Sequence, residues 1–163
     1  MDNTADAKIC NKECKYCISR ILEDLESIED GNEKLQYIVE LAKEVPCLNE
    51  EFKSEHFKVK GCMSNLWLVP EMIDGKCYFH CDGDAIVPKG IAFIVSALHS
   101  GYTPEEILSL DLECIKKLGL EKYLSPNRRN SVANLSSTIQ QYAREYLEKS
   151  GCTKCQHLKV LNG

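Results

Sequence analysis

Ten cysteines stand among 163 residues, and their spacing sorts them into three kinds of chemistry. Cys62 follows Gly61 in the stretch Val59-Lys60-Gly61-Cys62-Met63-Ser64-Asn65-Leu66-Trp67. Glycine reaches backbone conformations closed to other residues, so Gly61-Cys62 reads as a tight loop with a thiol at its tip. The loop enters a strand-like run, Leu66-Trp67-Leu68-Val69. A thiol held on a loop over a rigid sheet is available to a partner. The competing reading is a plain buried cysteine, because free cysteine is among the most buried residue types. Lys58 and Lys60 favour the thiolate if their ammonium groups lie close, and are otherwise ordinary solvated loop charges.

A second kind of chemistry sits at the two ends. Cys14-x-x-Cys17 and Cys152-x-x-Cys155 form a split pair of metal knuckles. Four thiolates in two such pairs suit tetrahedral zinc, with Cys10 and His157 as spare ligands. An iron–sulfur cluster is the alternative occupant, and unligated thiols the bland one. A metal there would staple the first helix to the last. The remaining cysteines, Cys47, Cys77, Cys81 and Cys114, have no partner pattern of this kind and read as structural. His80 reads as an exposed sheet histidine or a ligand, and no partner at ligand spacing favours the second.

Several segments, taken in order, resemble the SufE family: Val59-x-Gly61-Cys62-x-Ser64-x-Leu66-Trp67, the Asp74-Gly75 turn, Asp82-Gly83-Asp84-Ala85-x-x-x-Lys89-Gly90, and Leu124-Ser125-Pro126-Asn127-Arg128. The likeness runs from about Glu33 to about Ala143. It implies that Cys62 takes sulfur as a persulfide from a cysteine desulfurase (SufS-like), stimulates that enzyme and passes the sulfur to an iron–sulfur scaffold. It also implies that Gly61, Ser64, Trp67, Asp84, Lys89 and Arg128 support the acceptor loop or face the desulfurase. Asp84 equally reads as a helix N-cap, since it directly precedes Ala85. Arg128 opposes the macrodipole in the first turn of its helix, which points to a role beyond helix stability. Met63 departs from the family, which usually has glutamine there. The terminal cysteine pairs lie outside the resemblance, and through them an iron–sulfur scaffold or metal-binding adaptor is the alternative function.

Persulfide transfer needs accessibility and a thiolate rather than an acid–base pair. A carrier must also shelter the sulfur it holds, and Leu66, Trp67 and the helix after Ala85 are expected to form a shallow apolar pocket for it.

The elements that position these groups follow from periodicity. Ile18, Ile21, Leu22, Leu25 and Ile28 predict a helix from about Glu13 to Glu29, ended by Asp30-Gly31. Asn32 is expected to cap a second helix, whose buried stripe is Leu35, Ile38, Val39, Leu41 and Ala42 and which Pro46 stops. Strands Asn65 to Ile73 and Lys76 to about Cys81 flank Asp74-Gly75, a strong hairpin signal. Pro70 inside the first strand marks an edge or a bulge. A third strand is expected near Phe57 to Val59. Ala85 to Ser100 reads as the central buried helix, Thr103-Pro104-Glu105-Glu106 as a capping box, and Ser125-Pro126 as the opening of a last helix that runs to Gly151.

The expected fold class is α+β: about three antiparallel strands packed by several helices, SufE/IscU-like. One domain over residues 1–163 is expected, with its core at about 30–145 and cysteine-bearing extensions. Mixed charges and a net charge of −5 argue against a nucleic-acid or anionic-membrane binder. The acidic, polar start is unlike an export signal, so the expected location is cytoplasmic, where thiols stay reduced.

Overall fold

The computed structural model describes residues 18–110, 122 and 124–150. Helix α1 (18–27) buries Ile18, Ile21 and Leu25, spaced three and four apart, as the sequence pattern requires. Helix α2 (Gly31–Glu44) starts earlier than expected and corrects the expected cap. Asp30, not Asn32, is the N-cap: its Oδ1 accepts from the backbone N–H groups of Asn32 at 2.7 Å and Glu33 at 3.1 Å. A carboxylate reaching two orphan donors also opposes the positive end of the helix dipole, which a neutral amide at position 32 does not. Val45 is extended, as a residue before proline prefers, and the helix stops there.

Strands β1 (Leu66–Ile73) and β2 (Lys76–Gly83) pair antiparallel from Leu66↔Gly83 to Ile73↔Lys76. Asp74 and Gly75 have φ of 51° and 77°, the two positive values of the predicted turn. The expected third strand shrinks to a bridge of Lys58 with Trp67. Val59 N–H donates to the Leu66 carbonyl at 2.7 Å, and Leu68 N–H to the Phe57 carbonyl at 2.9 Å. Period-two alternation then turns position 70 toward the same side as Leu68, away from β2. The N–H that Pro70 lacks is therefore one the β1–β2 ladder never uses. The outer edge of β2 is covered as well. Cys77 exchanges hydrogen bonds with Tyr102 and Gly101, and Phe79 N–H donates to Ser100 Oγ at 3.0 Å.

One face of this hairpin carries Leu66, Leu68, Cys77, Phe79 and Cys81, all buried. Helix α3 (Ile86–His99) lies against it, contributing Ile91, Ala92 and Val95. His99 at its end is buried, with Nδ1 donating to the Val95 carbonyl at 2.7 Å, and burial holds its pKa below the ordinary value. It is a neutral core histidine. Helix α4 (Pro104–Ser109) carries the predicted capping box between Thr103 and Glu106. Helix α5 (Pro126–Ser150) opens with Ser125 Oγ accepting from Arg128 N–H and buries Leu135, Ile139 and Ala143. Side chains from all these helices except α4's polar face join one buried cluster with the sheet. The class is α+β, as the sequence predicted. No helix among the described residues is long and apolar enough to cross a membrane.

Close approach of α2 and α3 depends on Gly90. A Cβ there would lie 2.6 Å from both Ile38 Cγ2 and the Ile38 carbonyl oxygen. Backbone cannot yield cheaply to such a contact, so overpacking dominates the gain in helix propensity. Gly90→Ala is expected to lower stability by about 1–3 kcal/mol. Urea unfolding measures this, and an unchanged or raised midpoint would contradict the packing described.

Candidate functional site

The loop ahead of β1 is built on two anchors. Gly61 has φ of 82°, and a Cβ at that position would stand 2.5 Å from Nδ2 of Asn134 on α5. Only glycine satisfies both the left-handed backbone and the approach to the helix. At the other end, Asn65 is tied to Asp84. Its N–H donates to Asp84 Oδ1 at 3.0 Å, its side-chain amide to Oδ2 at 2.8 Å, and its carbonyl accepts from Asp84 N–H at 3.1 Å. Asp84 is thus a brace for the loop and not the helix cap. That position falls to Ala85, which offers no side-chain hydrogen bond.

Between the anchors, Cys62 is half-buried and packs against the core cluster, Ser64 is half-buried, and Met63 is 83% exposed. Lys58 pairs with Glu55 at 3.7 Å, which supports its reading as an ordinary loop charge, and Lys60 is exposed.

Across the strand pair from Trp67 lies a buried carboxylate. Asp82, at the end of β2, has a side chain only 4% exposed. It accepts from Leu48 N–H at 3.0 Å and Gly83 N–H at 2.8 Å, and faces Lys89 Nζ at 3.2 Å and Lys53 Nζ at 3.4 Å. Burial alone would raise its pKa, but the two backbone donors and the Lys89 ammonium outweigh it, so the carboxyl lies below its ordinary value. Lys89 is therefore turned inward, with its ammonium also 3.8 Å from Cys47 Sγ. Lys53 in turn sits over the Trp67 ring, 6.0 Å from its centroid.

Leu66 lines a small cleft of about 10 Å³ with Pro88, Ile91 and Ala92 of α3 and Arg128, Ser131, Val132 and Leu135 of α5. This is room for about one water-sized atom. Trp67 does not line it, which corrects the expected pocket. Alternation sends Leu66 toward α3 and Trp67 to the opposite face of the sheet. Arg128 also lines the cleft, whose exposed wall is almost entirely apolar.

The described cysteines separate by environment. Cys77 and Cys81 are buried, and desolvation pushes each thiol up to about 12, so both stay protonated and inert at neutral pH. Cys47 is exposed, which corrects its reading as a packed structural thiol. The chain turns outward after Pro46, while the next residue, Leu48, sends its N–H to Asp82. His80 Nε2 lies 2.7 Å from Glu71 Oε2, a diagonal cross-strand pair, and the described residues hold no group of three or more metal-ligating side chains. Cys114 and the terminal cysteines Cys10, Cys14, Cys17, Cys152 and Cys155, with His157, lie outside the described residues.

Four residues of the site were not singled out from the sequence. Asp82 shows a weak signal: alternation places a carboxylate at the end of an otherwise packed strand. Asn65, Lys53 and Asn134 carry none, because each acts through a contact distant in sequence.

Comparison with known proteins adds the family. The SufE family model, described as an Fe–S metabolism associated domain, matches residues 19–143. An uncharacterized SufE-like protein of Rhizobium etli is 33% identical over 132 residues, covering 78% of this chain and 89% of its own. An uncharacterized SufE-like protein of Synechocystis is 29% identical over 126 residues, covering 77% and 79%. The solution structure of a hypothetical protein from Thermus thermophilus superposes with a TM-score of 0.65 at 21% identity, over 80% of this chain and 96% of that one, which establishes the shared fold.

Neutralising the buried charge at Asp82 leaves the Lys53 and Lys89 ammonium groups beside an uncharged amide. Asp82→Asn is expected to cost about 3–5 kcal/mol at neutral pH. Because the folded-state pKa is depressed, the stabilisation is fully present above the ordinary value of 3.8 and disappears as pH falls through the lower folded-state value. The gap between wild type and variant in urea unfolding should therefore narrow in acid; a gap constant with pH would contradict this.

Proposed function

The chain belongs to the SufE family, which ties it to sulfur transfer in Fe–S metabolism, and we propose that Cys62 is the acceptor for sulfur released by a cysteine desulfurase. The observation that supports this is a half-buried thiol at the tip of a loop pivoting on left-handed Gly61 and anchored by the Asn65–Asp84 brace.

The Cys62 thiolate attacks the outer sulfur of the donor's cysteine persulfide. A new S–S bond forms at Cys62 while the donor's S–S bond breaks. The donor cysteine leaves as a thiolate and takes up a proton, so no net oxidation or reduction occurs. The products are Cys62-S-SH and a free donor thiol. A half-buried thiol must move outward to meet the donor, and Gly61 is the residue whose backbone absorbs that rotation. Cys62 does not itself line the Leu66 cleft between α3 and α5, so sheltering the outer sulfur there requires the loop to carry the thiol toward it. The cleft has room for about one water-sized atom, enough for one added sulfur. Asp84, Lys89 and Gly61 act as positioning residues. The sulfur then passes to an iron–sulfur scaffold by the same exchange.

Incubation with a cysteine desulfurase and cysteine, followed by peptide mass spectrometry, tests the reading. The Cys62 peptide is expected to gain the mass of one sulfur, and Cys62→Ser to gain none. Sulfur on another cysteine, or on none, overturns the assignment.

The terminal pairs Cys14/Cys17 and Cys152/Cys155 are proposed to hold zinc, on their spacing and donor chemistry. Elemental analysis of purified protein is expected to find bound zinc that Cys152→Ser loses; metal-free wild-type protein would end the idea.

A further inference from the structure

Three large apolar side chains are exposed among the described residues: Met63 at 83%, Ile86 at 43% and Met72 at 37%. Met72 belongs to the hairpin end of the sheet, paired with Cys77. The other two stand on either side of the Asn65–Asp84 brace. Met63 follows Cys62 directly, so their Cα atoms are about 3.8 Å apart. Met63 and Ile86 also share a joint. Met63 stands two residues before Asn65 and Ile86 two residues after Asp84, and those residues are held together by three hydrogen bonds. Each apolar side chain thus springs from within about 7.6 Å of chain from one rigid point.

Resting on the reading of Cys62 as acceptor, we infer that Met63, seconded by Ile86, is the apolar anchor that seats this protein on its sulfur donor. A donor sulfur that comes within bonding distance of Cys62 Sγ brings the surface around it onto the neighbouring residue. The occupant is therefore the rim of the desulfurase's active site, and the chemistry that fits Met63 is an apolar recess beside the donor cysteine. Methionine suits this task, since an unbranched, polarizable side chain fills an irregular recess after the loop has moved. The thiol supplies the reaction and the adjacent side chain supplies the docking energy. Burial of a group left this exposed in the free protein is a gain realised only in the complex.

Titration of a cysteine desulfurase with the full chain measures the Kd. Met63→Gln, close in volume but polar, is expected to weaken binding about tenfold or more, and Met63→Leu to restore most of it. Ile86→Gln weakens binding in the same direction, and Met72→Gln leaves it unchanged. The loss in Met63→Gln persists at high salt, because an apolar contact is not screened. An unchanged Kd in Met63→Gln, an equal loss in Met72→Gln, or a wild-type chain that does not bind overturns the inference. Binding that depends on Met63 without sulfur ever reaching Cys62 supports the docking surface while refuting the acceptor role, so the two failures are distinct.

Discussion

A single buried carboxylate ties together four segments around the end of β2. Asp82 gathers the N–H of Leu48, its neighbour's N–H at Gly83, and the ammonium groups of Lys53 and Lys89. These donors come from the chain after α2, the end of β2, the segment after the short 3-10 turn Glu50–Phe52, and the first turns of α3. An ion taken out of water demands this degree of pairing, and once paired it fixes geometry rather than simply adding stability. Its depressed pKa is the signature of that arrangement: hydrogen bonds and opposite charge outweigh desolvation. The path from α2 to the Cys62 loop is thereby held to the sheet with only one 3-10 turn and one bridge of its own.

On this support, rigidity and freedom are divided along a few residues. Asn65 and Asp84 lock the loop's exit to the junction of β2 and α3. Gly61 shapes its entry, with a left-handed φ that strains any side chain and an approach that would push Asn134 aside. Between them lie a half-buried thiol and, beside it, the most exposed of the large apolar side chains described. The same division runs through the cysteines. Those facing α3 from β2 are desolvated and stay protonated, and so offer no thiolate at neutral pH.

Close packing explains why the cleft is so small. Helix α3 is drawn against α2 at Gly90 and against the sheet through Ile91, Ala92 and Val95. Interiors packed at this density leave few voids, and those that persist are lined by residues that cannot approach further. Between α3 and α5 only a small, mostly apolar cleft remains.

Local patterning determined much of this protein by itself. Asp74-Gly75 dictated a turn with two positive φ values, Thr103 to Glu106 a capping box, Ser125-Pro126 a helix start, and the alternation of Cys77, Phe79 and Cys81 their common buried face. Each rests on groups within four residues of one another, where backbone sterics and hydrogen bonding suffice. The tight turn at Gly61 was legible for the same reason, its backbone taking a positive φ. Tertiary structure alone decided the rest. It made Asp84 a brace rather than a cap, turned Lys89 inward, left Cys47 exposed, sent Trp67 away from the cleft, and placed Asn134 against Gly61. It also reduced the third strand to a bridge. Those outcomes depend on which distant segments meet, and a buried charge or a close helix approach is settled by long-range packing that no local period encodes.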